Sequence, residues 1–240
     1  MNLKSKLLAF PVCGLLLIAA ACSSNKLGTS GGGVSLPGGG TSGGGSTAAA
    51  ISPDDKPLDV MTKAMRAQFD AKSFRAHITS SLAGGADNTM LVEYVAPDRY
   101  RMVGEGKMGG KEFKMEYVIV GGASYIKAPT GQWVKSPVDM GGMIKSFRDP
   151  KMLDELAKTA DVKYVGAETL DGTPTLVYQY TQNDPMGMKG LKSTAKTWLS
   201  VADGLPRKTE TEGDYNGQKT KTLVTISDYN ADIKIDAPTK

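Results

Sequence analysis

Few side chains in this 240-residue chain have the types and spacing that chemistry requires. His77 is the single histidine, which excludes the multi-histidine sites that hold zinc. It falls in the strand-like run Phe74 to Leu82, where a hydrogen-bonded structural role suits it better than that of a general base. Gly104-Glu105-Gly106-Lys107-Met108-Gly109 has the GxGxxG spacing, but a dinucleotide fingerprint must open a helix, and here alternating strand residues follow. Thr209-Glu210-Thr211-Glu212 sets two carboxylates on one face of a strand, the pattern of a solvated surface. No catalytic residue, metal ligand or cofactor is assigned, and the chain is expected not to be an enzyme. Two thiols remain, Cys13 and Cys22.

Cys22 has the more telling surroundings. Met1 to Lys6 carries two lysines and no acid, Leu7 to Ile18 is almost wholly apolar, and Ala19-Ala20-Ala21 is small. That order is the order of a secretory signal. A cysteine directly after it resembles a bacterial lipobox, in which the thiol takes a diacylglyceryl group and becomes the first residue of the mature protein. A lipobox usually has Leu, Val or Ile three positions before the cysteine; here Ala19 stands there, with Ile18 one step further out. An ordinary secretory signal and an uncleaved anchor are the other readings. The apolar stretch of about 15 residues, broken by Pro11 and Gly14, is short of the ~20 that span a bilayer. On the lipobox reading residues 1–21 are removed and Cys22 is lipidated. The protein is then extracytoplasmic, anchored to a cell membrane or to the periplasmic side of an inner or outer membrane. Its exported domain keeps neither a free thiol nor a disulfide, so a packed core must hold it.

Residues 22–50 begin at that cysteine and continue in a low-complexity stretch with three Gly-Gly-Gly runs. Such a segment buries too little apolar surface to offset its ordering entropy and is expected to be a disordered tether. As a flexible coil its root-mean-square reach is roughly 30 Å. Residues 51–240 are ample for a single domain. Removing Lys4 and Lys6 lowers the formal charge from +4 to about +2, and basic residues alternate with acids, as in Arg207-Lys208-Thr209-Glu210. A nucleic-acid partner is not expected.

Elements follow from periodicity. Leu58, Met61, Met65 and Phe69 form one face of a helix over Pro57 to Ala71, with Asp54 and Asp55 ahead of it and Pro57 in its first turn. After Lys72 the period becomes two. Strands are expected at Phe74–Leu82, Met90–Val95, Tyr100–Val103, Phe113–Val120 and Ser124–Lys127, separated by Gly, Pro, Asn or Asp. Met143 to Arg148 reads as a short helix. A further helix follows Asp149-Pro150, with the stripe Met152, Leu153, Leu156, Ala157 and Ala160. Strands resume at Val162–Val165, Thr175–Thr181, Lys196–Val201, Arg207–Glu212 and Lys221–Asp228. The fold class is α+β: a large curved antiparallel sheet with helices over its concave face.

Several motifs resemble one family. Val95-Ala96-Pro97-Asp98-Arg99-Tyr100-Arg101 is similar to the strand–Pro–Arg turn of the bacterial lipoprotein-carrier superfamily. That superfamily includes LolA-like lipoprotein chaperones and the LppX/LprG-like lipoglycan-binding lipoproteins of mycobacteria. Tyr125-Ile126-Lys127 with Gly131-Gln132-Trp133 looks like its exposed hairpin, and Asp203-Gly204-Leu205-Pro206-Arg207-Lys208 like its late turn. Ile226-Ser227-Asp228-Tyr229-Asn230, through Asp236-Ala237-Pro238, resembles its closing strand. The resemblance spans about Lys56 to Pro238. It implies an unclosed β-barrel whose apolar concavity accepts acyl chains of a lipid or lipoprotein cargo, as carrier or chaperone. Related folds also serve as sensors that contact an envelope protein partner, which is the alternative.

On that reading Phe113, Met115, Tyr117, Ile119, Leu176, Tyr178 and Trp198 are the expected cavity liners, with a surface position the equal alternative for Trp198. The chain has twelve methionines, several beside glycines. Met140, Met143, Met152, Leu156, Met186 and Met188 are assigned to a cavity mouth or lid, because methionine adapts to irregular apolar shapes. For Met140 and Met143, filling the core beneath the helices is the equal alternative.

Overall fold

The computed structural model describes residues 50–82, 86–108, 111–137, 140–147, 161–183, 191–215 and 217–239. The expected signal segment, tether, second mid-chain helix with Met152 and Leu156, and Met186–Met188 loop lie outside the described residues.

Helix α1, Pro57–Asp70, opens with proline at its first turn, where a missing N–H costs nothing, and carries Asp59 there to suit the helix dipole. Its buried stripe is Val60, Met61, Ala64 and Gln68, turned from the Leu58–Met61–Met65–Phe69 face that hydrophobicity alone predicts. Leu58 is left exposed. The small Ala64 lets the helix lie close against the sheet.

Eleven strands follow: β1 Ser73–Leu82, β2 Ala86–Val95, β3 Arg99–Met108, β4 Lys111–Val120, β5 Ala123–Lys127 and β6 Trp133–Lys135, then β7 Asp161–Leu170, β8 Thr173–Asn183, β9 Leu191–Ser200, β10 Pro206–Tyr215 and β11 Gln218–Ser227. Helix α2, Met140–Phe147, lies between β6 and β7, three residues earlier than its sequence stripe places it. β6 is too short to show alternation and is the strand that sequence patterning misses.

All strands join in one antiparallel sheet, ordered β6-β5-β4-β3-β2-β1-β11-β10-β9-β8-β7. The chain meanders outward on both sides of the β1–β11 pair, so β6 and β7 are the two edges and the barrel is not closed. Two-residue turns set much of the register. Asp171-Gly172 and Gly121-Gly122 both have positive φ at each central position, the twist-matched geometry of tight hairpins.

One face of this sheet packs against both helices and is termed inner. Its cross-strand rows follow from the register. One row runs Ile119, Tyr100, Tyr94, Phe74; the next has Tyr117, Met102, Val92, Ala76, Ile226. The third runs Met115, Gly104, Met90, Ile78, Val224, Thr209, Thr197, Tyr178, Tyr164, and the fourth Phe113, Gly106, Asn88, Ser80, Thr222, Thr211, Ala195, Tyr180, Val162. Inner residues of β1–β4 and β11 pack with Met140 and Ile144 of α2, while Val60, Met61 and Ala64 of α1 pack with Leu176, Tyr178 and Leu199.

The outer face is charged. Glu93 bridges Arg75 and Arg101, and Glu116 bridges Arg101 and Lys127, across β1 to β5. Beside this ladder the C-terminal segment crosses the sheet, where Ile233 and Ile235 bury Val118 against Val95, Val120 and Trp133. Arg99 donates to the Ile235 carbonyl at 2.7 Å, and the Asn230 amide oxygen accepts the Lys72 N–H at 2.8 Å.

Candidate functional site

Burial divides the inner face. Phe74, Tyr94, Tyr100 and Ile119 are almost wholly enclosed, with ring centroids 5.1 Å apart for Phe74–Tyr94 and 5.0 Å for Tyr94–Tyr100. Toward the β6 edge the same face is only half covered. Phe113, Met115, Tyr117, Ile126 and Met140 are all partly exposed, and Val134 is 46% exposed. The cause is local. β5 pairs only with residues 117–120 of β4, so among the described residues the half of β4 bearing Phe113 and Met115 has no registered strand beyond it. Met115 leans over β3, where a side-chain carbon on Gly104 would stand 3.2 Å from its Cγ. The β7 edge is also apolar, with Tyr164 37% and Val165 52% exposed. Among the described residues, three of the five exposed large apolar side chains thus sit on the two edge strands.

Of the expected liners, Phe113, Met115, Tyr117 and Ile119 share inner positions on β4, and Ile119 is sealed in the aromatic seam. Leu176 and Tyr178 take inner positions on β8 but lie beneath α1. Trp198 belongs to the other face, a correction to its place among them. It alternates with inward Thr197 and Leu199 and is the cross-strand partner of Lys208 and Val177. Its indole N–H donates to Glu168 at 2.7 Å, and the Lys208 ammonium lies 4.4 Å from its ring. Met140 packs against the inner cluster. Met143 falls within α2, its side chain outside the described residues, as are Met152, Leu156, Met186 and Met188.

Sequence patterning also passes over Met90, Ile126, Val134 and Tyr164. Ile126 and Val134 are the middle residues of Tyr125-Ile126-Lys127 and Trp133-Val134-Lys135, and they pair with each other. Alternation of two such triplets was the available signal.

Charge is kept off the third and fourth inner rows. Burial pushes the Tyr178 phenol up to about 12, helped by Tyr164 and Asp55, and pushes that of Tyr180 up to about 12 against a hydrogen bond with Thr197. The Tyr178 hydroxyl, in a residue with no exposed surface, has no hydrogen-bond partner among the described residues.

His77 is exposed on the outer side of β1. Gly104 and Gly106 lie inside β3 rather than before a helix. Glu210 and Glu212 are outer-face residues paired with Lys208 and Lys221. Among the described residues no group of three His, Cys, Asp or Glu could hold a metal ion, and no helix is long and apolar enough to cross a membrane. Two open depressions, of about 490 and 660 Å³, are lined largely by outer-face residues such as Lys196, Glu210, Glu212 and Lys221, or Glu105, Lys107, Glu112 and Lys114. Such mixed charge and hydroxyl linings do not suit hydrocarbon.

No protein family matches the sequence, and no curated protein does. Solved structures match the fold. LprF from Mycobacterium bovis is similar at TM-score 0.53 and 15% identity, covering 80% of this chain and 100% of that one. Lipoprotein LppX of Mycobacterium tuberculosis follows at 0.49 and 13%, covering 75% and 97%. A LolA superfamily protein from Nitrosomonas europaea gives 0.29 and 12%, covering 76% and 94%. At such identities the likeness is one of fold alone, and it is carried by LprF: a large antiparallel sheet that does not close.

Proposed function

We propose that this chain binds the acyl chains of a lipid or lipoprotein on the inner face of its open sheet, as a carrier or chaperone of the bacterial envelope held to a membrane by lipid on Cys22. The observation that carries this reading is the half-covered apolar strip Phe113–Met115–Tyr117–Ile126–Val134, which reaches an open sheet edge while both helices lie on the same face. A domain gains nothing by leaving such a strip wet unless something apolar visits it. Each buried methylene contributes about 0.8 kcal/mol, so ten give ~8 kcal/mol, near micromolar affinity before ordering costs. No catalytic group is needed. Two acyl chains on Cys22 anchor stably where one is marginal, and the tether keeps the domain near its source of lipid.

Native mass spectrometry of the protein extracted from membranes tests this. Co-purified acyl lipid or lipoprotein is expected. Protein that is repeatedly lipid-free and takes up no acyl lipid from vesicles overturns carriage, and a single stoichiometric cross-linked protein partner under those conditions favours a sensor. Cys22→Ser is expected to release the domain from membranes.

A further inference from the structure

The fourth inner row changes character across the sheet. It is apolar at Phe113 on β4 and again at Tyr180 and Val162 on β8 and β7. Between them it presents Asn88, Ser80, Thr222 and Thr211 on four adjacent strands, β2, β1, β11 and β10. Inward positions of a lipid-binding sheet gain most from aliphatic residues, and this run of four has none.

The four side chains keep hydrogen-bonding capacity. The Asn88 amide oxygen accepts the Lys107 N–H at 3.2 Å, which leaves the amide's two N–H groups as donors. It reaches there because position 106 is glycine: a side-chain carbon on Gly106 would stand 2.0 Å from that oxygen. The Ser80 and Thr222 hydroxyls are 3.3 Å apart. One hydrogen serves that pair, so the other O–H remains to be given away. One row up, Tyr178 lies beneath α1 with no exposed surface, and among the described residues its hydroxyl has no hydrogen-bond partner. Neither row contains a charged residue. An ionised headgroup would find no counter-ion there, whereas ester carbonyls and hydroxyls would find donors and acceptors at no charge-burial cost.

We infer that Asn88, Ser80, Thr222 and Thr211 form a subsite for the uncharged ester and hydroxyl groups of an acylated glycerol whose chains lie over the β4–β6 strip. This rests on the acyl-binding reading above and adds an orientation to it: chains toward the β6 edge, glycerol toward the β1–β11 centre. The diacylglyceryl group is common to free lipids and to lipoproteins.

The test compares wild type with T211V/T222V, which removes two hydroxyls at nearly constant volume, and T211S/T222S, which keeps them. The full chain is loaded with diphenylhexatriene, a hydrocarbon fluorophore, and displaced by dioleoylglycerol or by a synthetic diacylglyceryl-cysteine peptide. The valine variant is expected to lose about tenfold in affinity for at least one acylglycerol ligand, with diphenylhexatriene binding unchanged and the serine variant close to wild type. Loss for the peptide alone points to a lipoprotein source, and loss for dioleoylglycerol to a free lipid; either supports the subsite. Equal affinity of wild type and the valine variant for both ligands overturns it, as does a parallel loss of diphenylhexatriene binding. A wild type that binds the hydrocarbon but neither acylglycerol sinks the subsite and leaves acyl binding standing. A wild type that binds nothing removes both.

Discussion

β4 takes part in two apolar regions of similar composition and opposite coverage. At one end Ile119 closes a seam with Tyr100, Tyr94 and Phe74, where exposure ranges from 0% to 4%. At the other end Phe113, Met115 and Tyr117 face the same way on the same strand and stay partly exposed. Side-chain type does not separate the two. What separates them is what lies alongside: β5 pairs along the Ile119 end and tilted rings pack there, while among the described residues the Phe113–Met115 half of β4 has no registered strand beyond it. The first region is built to be finished by the protein itself. The second is left for something else to finish.

The largest effect that separates them is in stability. Tyr94→Ala in the seam is expected to cost about 3–5 kcal/mol, the range for deleting a buried aromatic. Met115→Ala in the open strip is expected to cost about 1 kcal/mol, because part of its surface is already hydrated. Denaturant melts of the two variants check this, and equal losses would mean that the strip is core. Affinity is expected to run the other way: Phe113→Ala with Met115→Ala lowers hydrocarbon binding roughly tenfold, measured by diphenylhexatriene titration.

How much of this was legible beforehand follows the same division. Alternation in Phe113-Met115-Tyr117-Ile119 placed four side chains on one face correctly, because antiparallel strands with one wet face write their orientation into sequence. The same alternation says nothing about coverage, so Ile119 and Phe113 read alike although one is sealed. Trp198 was misplaced because Lys196 to Val201 shows no clear alternation: inward Thr197 is polar, and a shift of one residue inverts every assignment. The helix stripe was misjudged at Leu58 for a related reason. Hydrophobicity favours large residues, while close packing against the sheet selected Ala64.

Acid separates the two faces. Burial alone would raise the Glu116 carboxyl, but hydrogen bonds from Arg101 and Lys127 outweigh it and hold the group below its ordinary value. A carboxylate depressed on folding adds stability above its unfolded pKa and loses it as pH falls through the folded one. Melting temperature is therefore expected to drop on acidification through and below the ordinary carboxylate range. Glu116→Gln is expected to be less stable at neutral pH and flatter in acid. Its hydrocarbon binding at neutral pH should match wild type, since the ladder lies on the outer face. A variant whose melting profile parallels wild type throughout would deny Glu116 that role.

The smallest expected effect tests the face assignment most directly. Trp198 is a large aromatic in a protein inferred to bind hydrocarbon, and composition alone would make it a liner. The register puts it behind the sheet, with its N–H on Glu168 and a lysine over its ring. Trp198→Phe keeps most of the apolar contact and removes one hydrogen bond, so about 1 kcal/mol of stability is expected to go. Hydrocarbon affinity is expected to stay within twofold of wild type, roughly the scatter of an unaffected site. If Trp198→Phe instead weakened binding as much as Phe113→Ala with Met115→Ala, ligand would have to reach the outer side of β9. The contrast between a finished and an unfinished inner region would then lose its bearing on cargo. If only stability moves, the division holds: one face carries ion pairs and fixed aromatics, and the other carries the gap.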